Sequence, residues 1–183
     1  AGANIPVIVQ YAATSLEDTY FQIAELGTVT GNAAQSEALI GEMKSDIASA
    51  IALLPAESAE LTYYHELDNT LFTVTSATFI GSVYSLAGLA NIADVATGAE
   101  SGYPQLSPEF IVSSDPEIVF LADTKCCGQN SQTFAQRPGF AKLTAVTMGS
   151  VIELDDDVAS RWGPRTVDFV QAIVDGVLAV TKK

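Results

Sequence analysis

Basic residues are scarce in this sequence. Its 183 residues include 8 Lys and Arg against 22 Asp and Glu, which gives a formal net charge of −14 at pH 7. A field of that sign repels the phosphates of nucleic acids and anionic lipid headgroups at long range. We therefore expect no nucleic-acid partner and no role at a membrane surface.

Long apolar runs are also missing. The sequence has no stretch of 18 or more apolar residues, the length that a membrane-spanning helix needs, so we expect no direct insertion of this chain into a membrane. Hydrophobic residues still make up 48% of the chain and charged residues only 16%. That balance excludes disorder and is enough for one good core, or one core with an extension.

Histidine and cysteine are nearly absent. His65 is the only histidine, and no Cys or acidic cluster stands around it at ligand spacing, so we interpret it as structural or as a surface residue and predict no metal site. The two cysteines, Cys126 and Cys127, are adjacent. They either stay as thiols or close a vicinal disulfide that stiffens their loop, because their Cα atoms are only about 3.8 Å apart. No CxxC spacing or nearby histidine activates a thiol.

Catalytic motifs are missing as well. The sequence contains no GxGxxG, no Walker motif and no nucleophile elbow. Dinucleotide binding, phosphoryl transfer and serine hydrolysis all lack their parts. We therefore predict no catalytic residue.

Strand and helix signals alternate along the chain. Short β-rich or apolar runs predict strands at 5–10, 61–67, 116–122 and 150–155. Caps and helical periodicity predict helices from the N-cap Ser15 to near Gly27, at 34–54, at 77–88 with Gly88 as its end, within 106–115 with Ser107 as N-cap, and at 164–180. This alternation predicts a three-layer α/β/α lobe with a mainly parallel central sheet. The helix at 34–54 makes a rod of roughly 30 Å, typical of a connector between two lobes.

Two loops follow predicted strands, at the edge of the sheet where ligands gather in open α/β folds. One is DTKCCGQNSQ, which follows the strand at 116–122, and the other is DDDVASRWGPR, residues 155–165. The acidic run is compatible with a solvated cap. Its Trp162, the only tryptophan, is flanked by arginine and a rigid Gly-Pro. An aromatic face beside a charged residue is suited to binding a large amphipathic ligand.

A resemblance to a known family links these segments. In order, the segments YYHELDNTLFT, TFIGSVYSLAGLANIA, YPQLSPEFIVSSDPEIVFLAD, RPGFAKLTAVTMGSVIELDDD and SRWGPR resemble the solute-binding proteins of ABC importers for vitamin B12 and ferric siderophores. The resemblance covers nearly all of the chain. It implies two α/β lobes joined by a long rigid helix, a ligand cleft between them, and an ABC transporter permease as partner.

The resemblance also implies a domain organisation and a location. Residues 1–33 resemble the last strand and helix of a truncated amino-terminal lobe, 34–57 the connecting helix, and 58–183 the carboxyl-terminal lobe, so half of the cleft is expected here. The DTKCCGQ loop followed by RPGF is similar to the Gram-positive, actinobacterial branch. We therefore expect an extracytoplasmic protein, either a cell-surface lipoprotein or periplasmic.

Site residues are carried over from the family position by position. The resemblance implies cleft aromatics at Phe72 and Tyr103, and polar cleft residues at Asp157 and Arg161 beside Trp162. Cys126 and Cys127 are a further candidate cleft loop, and Glu109 matches the acid that docks on the permease. Ala87 occupies a position that holds a disulfide cysteine in the B12-binding member.

The implied ligand is a metal chelate, with no covalent cofactor. Cobalamin and a ferric siderophore are both candidates, and haem is less favoured. Anionic catecholate siderophores need several converging cations, whereas the predicted cleft loops offer only Arg161, Arg165 and Lys125. That scarcity favours a cobalamin-like or less anionic ligand.

Three functions therefore stand side by side. The first is the binding component of an ABC importer, which captures cobalamin or a ferric siderophore and delivers it to the permease, and which is not an enzyme. The second is a thiol redox enzyme that uses Cys126 and Cys127. The third is a structural or interaction module in which the acidic surface matters.

Overall fold

The computed structural model describes residues 7–59 and 61–181. Its strands are β1 (Thr62–Glu66), β2 (Ala90–Asn91), β3 (Ile118–Leu121) and β4 (Val151–Glu153). The long helices are α1 (Leu16–Val29), α2 (Ala33–Ile51), α3 (Phe79–Leu86), α4 (Pro108–Ser114) and α9 (Thr166–Thr181). The short helices are α5 (Thr124–Cys127), α6 (Ser131–Ala135), α7 (Thr144–Thr147) and α8 (Asp156–Ala159).

The strands form one parallel sheet in the order β2-β1-β3-β4. Tyr63 of β1 is in register with Asn91 on one side and Ile118 on the other. Connections between parallel neighbours must return to the starting edge of the sheet, and helices make these crossovers here. The prediction of an α/β lobe with a parallel sheet is therefore confirmed.

Side chains of β1 alternate between two core layers, as a strand requires. Tyr63 belongs to the cluster with α1, α2, α3 and α9, and its ring stacks on Tyr84 with centroids 4.2 Å apart. Tyr64 belongs to the other cluster, with Ile111 of α4 and Phe134 of α6. Helices therefore cover both faces of the sheet, which makes the three layers.

His65 lies in the first of these layers and is fully buried. Its Nδ1 shares a hydrogen bond of 2.8 Å with the Tyr84 hydroxyl, and its ring packs edge-on against Tyr84 and Phe169. Burial lowers the pKa of His65 to about 3, so the imidazole is neutral near pH 7. The structural interpretation of this residue is confirmed.

The predicted helix caps are present. The Ser15 hydroxyl accepts a hydrogen bond from the backbone N–H of Asp18 at 3.1 Å, and the Ser107 hydroxyl accepts one from that of Phe110 at 3.1 Å. Gly88 follows α3 with a φ of +72°, the left-handed conformation that ends helices. Among the described residues, no helix has both the length and the apolarity to cross a membrane.

One expectation is wrong. Residues 5 and 6 of the strand expected at 5–10 lie outside the described residues, and 7–10 form no strand; within the described part of the chain these residues pair with no neighbouring strand, and Val7 and Val9 are exposed. The first helix ends at Val29, within two residues of the expected end near Gly27. Gly27 itself lies inside the helix, in its last turn.

Close packing between α1 and α2 requires that glycine. A Cβ atom at residue 27 would lie 2.0 Å from Ser36 Oγ and 2.5 Å from Ser36 Cβ. The two helices therefore approach each other through a position that tolerates no side chain.

We predict that Gly27→Ala lowers the free energy of unfolding by about 1–3 kcal/mol, because the added methyl overpacks the contact with Ser36. Gly41→Ala is the matched control, since Gly41 is also helical and a Cβ there meets nothing within 4 Å. Alanine gains helix propensity at both positions, so the difference between the variants isolates the clash. Urea unfolding measures it, and equal stabilities of the two variants would contradict the packing argument.

Candidate ligand-binding site

A pocket of about 470 Å³ opens where the carboxyl ends of β1 and β3 meet. In the sheet, β1 and β3 are neighbours. The strand that follows β1 in sequence, β2, lies on the outer side of β1, and the strand that follows β3, β4, lies on the opposite outer side. Ligands in open α/β sheets bind at such a reversal of strand order. Leu67 and Ala122, which directly follow β1 and β3, lie in the pocket wall, and the other lining residues are Lys125, Cys126, Asp156, Asp157, Ser160 and Arg161.

The acidic run at 155–157 is engaged with the protein rather than only with solvent. Asp155 Oδ2 lies 2.7 Å from Lys125 Nζ, and Asp155 Oδ1 caps α8 by accepting from the N–H of Asp157 at 2.9 Å. Asp157 lies 3.8 Å from Lys125 Nζ and 3.1 Å from Arg161 Nη2. Two cations at the pocket are therefore paired with aspartates of this run, which includes the expected pair of Asp157 with Arg161.

Asp156 holds the backbone of the cysteine loop. Its carboxylate accepts hydrogen bonds from the backbone N–H groups of Thr124 at 2.9 Å, Lys125 at 3.0 Å and Cys126 at 2.8 Å, and from the Thr124 hydroxyl at 2.9 Å. Partial desolvation raises the pKa of Asp156, but the hydrogen bonds from Cys126, Lys125 and Thr124 outweigh it and leave the pKa below its usual value. The N–H groups at the start of α5 are thus already occupied by an internal anion.

The cysteines sit on the loop that Asp156 holds. The sulfur atoms of Cys126 and Cys127 lie within disulfide-bonding distance, and both residues are exposed. Cys126 lines the pocket, whereas Cys127 is outside its wall. The described residues contain no group of three or more His, Cys, Asp or Glu that could hold a metal ion.

Phe72 and Tyr103 lie outside the pocket wall but at the same edge of the sheet. Phe72 follows β1 and is 39% exposed, and Tyr103 follows β2 and is 50% exposed. Their segments run side by side, with the N–H of Thr73 donating to the carbonyl of Pro104 at 3.0 Å. The carbonyl of Phe72 accepts from the N–H of Leu67 at 2.9 Å, which connects this aromatic pair to the pocket.

Trp162 follows Arg161 and is 42% exposed. Its indole Nε1 donates to Gln22 Oε1 at 3.0 Å, and its ring packs edge-on against Phe79 with centroids 6.5 Å apart. The hydrogen bond joins the loop after β4 to α1. The hydrogen bond therefore fixes one edge of the indole ring, and 42% of the residue stays exposed to solvent. Trp162 is not part of the pocket wall.

Glu109 is exposed in the first turn of α4. Because α4 returns from the carboxyl edge of the sheet to the start of β3, its first turn lies on the side of the pocket. The structure thus puts the predicted site residues at one edge, with Cys126, Asp157 and Arg161 in the pocket wall. Whether they bind ligand or permease stays a prediction.

Sequence reasoning missed a buried charged group at the ends of the same two strands. Glu66, the last residue of β1, is fully buried, and its two oxygens accept from Arg137 Nη1 and Nη2 at 2.6 Å each. The Tyr64 hydroxyl donates to Glu66 Oε2 at 3.2 Å. A charged residue that ends an apolar strand, as Glu66 does in LTYYHEL, was the available signal.

Asp123 is the second carboxyl of this group and is also fully buried. Neither of its oxygens has a hydrogen-bond donor among the described residues. Burial, with the neighbouring Glu66 carboxylate as the next cause, raises the pKa of Asp123 to about 7. Near neutral pH, Asp123 is therefore protonated in a substantial fraction of the molecules.

Comparison with known proteins identifies the family of this chain. The sequence profile of the periplasmic binding protein family matches residues 2–158, so the chain belongs to that family. It is 34% identical over 170 residues to the cobalamin-binding protein of Halobacterium salinarum, a match that covers 91% of this chain and 45% of the relative. An uncharacterized ABC transporter substrate-binding lipoprotein of Bacillus subtilis, YvrC, is 24% identical over 185 residues, covering 99% and 56%. The chain thus spans about half the length of these relatives.

A solved structure shares the fold. The crystal structure of a possible iron-binding, periplasmic solute-binding protein from Staphylococcus epidermidis superposes with a TM-score of 0.82 at 23% identity. The superposition covers 95% of this chain and 67% of that chain. At this level of identity, the similarity defines the fold and not the ligand.

We predict that Asp123→Asn becomes more stable relative to the wild type as the pH rises from about 4 to about 8. The raised pKa means that Asp123 favours folding most when protonated, so this contribution is complete below pH 3.8 and is lost as the pH rises through about 7. The difference in unfolding free energy should change by on the order of 1 kcal/mol per pH unit in that window. Urea unfolding over a pH series measures it.

Asp46→Asn, which changes an exposed carboxylate on α2, is the control and should show no such trend. Other titrating groups, including His65, cancel in the difference between variant and wild type. A flat difference for Asp123→Asn would mean that Asp123 is ionised throughout this range.

Proposed function

We propose that this chain is part of the extracytoplasmic solute-binding component of an ABC importer, which captures a metal chelate and delivers it to the permease. The observation that carries the proposal is the pocket at the reversal of strand order between β1 and β3, flanked by exposed aromatic side chains at the same edge. Family membership supports it, as does the name of the Bacillus subtilis relative.

The proposed lobe arrangement keeps the boundaries expected from the sequence. Residues 58–183 form the carboxyl-terminal lobe, 34–57 the connecting helix, and 1–33 the end of an amino-terminal lobe whose body would complete the cleft. In support, α1 exposes the large apolar side chains of Phe21, Leu26 and Val29, which another lobe would cover. The share of each relative that the chain spans also supports it.

The proposed ligand is cobalamin or a chelate of similarly low charge, rather than a strongly anionic ferric siderophore. Lys125 and Arg161 are paired with two aspartates, Asp155 and Asp157, and Asp156 between them occupies the backbone N–H groups of α5. An anionic ligand would have to displace these internal carboxylates. The similarity to a cobalamin-binding relative supports the same choice. Haem is less favoured because the sole histidine, His65, is buried in the core.

Permease docking and location complete the proposal. Glu109 offers an exposed carboxylate on the pocket side, where it would meet a basic surface on the permease and steer association. An extracytoplasmic location is in accord with the family. The lipid anchor and the Gram-positive, actinobacterial source stay predictions.

The alternative of a thiol redox enzyme depends on the exposed Cys126 and Cys127. Lys125, the nearest cation in sequence, is paired with Asp155 and Asp157, and His65 lies in the core against Tyr84. Neither residue is free to stabilise a thiolate. A chain that turns over a disulfide substrate with dithiothreitol as reductant would favour this alternative.

We predict that the chain binds cyanocobalamin more tightly than an anionic ferric tris-catecholate, and that Trp162→Ala weakens cobalamin binding about tenfold by removing a stacking face. Equilibrium dialysis read by ligand absorbance measures both affinities. Leu86→Ala is the matched control, because Leu86 is 40% exposed but lies at the opposite edge, at the end of α3 before β2 begins.

The control variant should bind as the wild type does. Preference for the tris-catecholate would overturn the ligand assignment while keeping the transport class. Absence of binding to cobalamin, haem and ferric chelates alike would count against the proposed function.

A further inference from the structure

The segment 123–129 has an unusually complete set of internal contacts for an exposed loop beside a pocket. The Asp156 carboxylate accepts from three consecutive backbone N–H groups, those of Thr124, Lys125 and Cys126. Within the segment, the backbone carbonyl of Asp123 accepts from the N–H of Cys127 at 3.2 Å and from that of Gln129 at 3.3 Å. The loop is thereby fixed to the ends of β3 and β4 at once.

This loop presents Cys126 to the pocket. Sulfur is an apolar, polarizable surface, and the wall next to it is otherwise made mainly of charged and polar side chains. A disulfide between Cys126 and Cys127 would leave the pair with no thiol to donate and would make the Cys126 part of the wall apolar. The pair has Cα atoms 3.8 Å apart, so the disulfide closes within one loop and its orientation follows the loop backbone.

We propose that Cys126, as part of a Cys126–Cys127 disulfide, is a ligand-contacting part of the pocket wall and that Asp156 is the residue that positions it. This inference rests on the proposed function, because it names what the solute meets in that site. The solute would place an apolar or weakly polar face against the Cys126 sulfur. Asp156 also lines the pocket, but its positioning role acts through the backbone of the loop, which its carboxylate holds.

The alternative role for Asp156 is stability alone, and the chain offers a matched control for it. Asp115 also uses its carboxylate to fasten a helix start, since it accepts from the N–H and the hydroxyl of Thr144 at 2.7 Å each. Asp115 directly precedes the β3 region, at the amino edge of the sheet and away from the pocket. Removing either carboxylate should cost stability, but only Asp156 should affect the disulfide and the pocket.

The experiment has two independent readouts on the purified chain. The first is the rate at which dithiothreitol reduces the cysteine pair: the reagent transfers two electrons and two protons, the S–S bond becomes two thiols, and dithiothreitol becomes its cyclic disulfide. Samples taken over time are quenched with acid and freed of dithiothreitol by gel filtration, and the free thiols of the protein are then counted with a chromogenic disulfide. The untreated wild type should show no free thiol, and Asp156→Ala should be reduced about fivefold faster or more, because its loop is released.

Asp156→Asn should fall between the wild type and Asp156→Ala, because an amide oxygen still accepts part of the hydrogen bonds. Asp115→Ala should be reduced at the wild-type rate. Two free thiols in the untreated wild type, or equal rates for Asp156→Ala and Asp115→Ala, would overturn the positioning role.

The second readout is the affinity for cyanocobalamin by equilibrium dialysis, well below the melting temperature of every variant. Asp156→Ala, the Cys126→Ser/Cys127→Ser double variant and the reduced wild type should each bind about five- to tenfold more weakly, whereas Asp115→Ala should bind as the wild type does. Unchanged affinity in the double variant would overturn the wall. A wild type that binds no chelate would instead overturn the proposed function, and with it the wall, while the reduction rates still decide the role of Asp156.

Discussion

Parallel pairing of β1 between β2 and β3 is the constraint on which the site depends. Because every strand points the same way, every loop that carries a candidate residue leaves the sheet at one edge. The register also matters, since a slip by one residue would exchange the faces of Tyr63 and Tyr64. Tyr63 would then lose its stacking on Tyr84, and Glu66 would turn away from Arg137. The pocket between β1 and β3 exists only in the register that both cores select.

Next to the pocket residues Leu67 and Ala122 in sequence, the buried carboxyl groups of Glu66 and Asp123 replace apolar side chains at the ends of β1 and β3. A buried ion pair does not increase stability by itself, because desolvation offsets the attraction between the charges. The Glu66–Arg137 pair nevertheless fixes geometry: two short hydrogen bonds hold the end of β1 to the segment after α6, and the guanidinium lies over the Phe134 ring, 5.0 Å from its centroid. The raised pKa of Asp123, about 7, reduces the negative charge that this buried group carries near neutral pH.

How much the sequence reveals depends on the range of the interaction. The strands near 61–67 and 116–122, and the caps at Ser15 and Ser107, follow from residues within a few positions of one another, and they were predicted. The two-residue strand β2 has too little periodicity to be detected. Asp156 accepts a hydrogen bond from the backbone of Cys126, 30 residues away, only once β3 and β4 are aligned. Likewise, Glu66 can raise the pKa of Asp123 only once β1 and β3 are paired. The family resemblance indicated candidate cleft residues, but nothing in it indicated this buried group.

Under the proposed function, electrostatics would influence ligand choice both far from the pocket and at contact. Far from the pocket, the net charge of −14 disfavours the approach of anions. At contact, Lys125 and Arg161 already form ion pairs with Asp155 and Asp157. An anionic ligand would gain little binding free energy there, because it would have to replace these carboxylates. Asp155, Asp156 and Asp157 are consecutive after β4, so one short segment sets both the charge of the wall and, through Asp156, the position of the cysteine loop. A solute that suits this wall carries neutral polar groups for the ion pairs to bind and an apolar face for the sulfurs and aromatic rings.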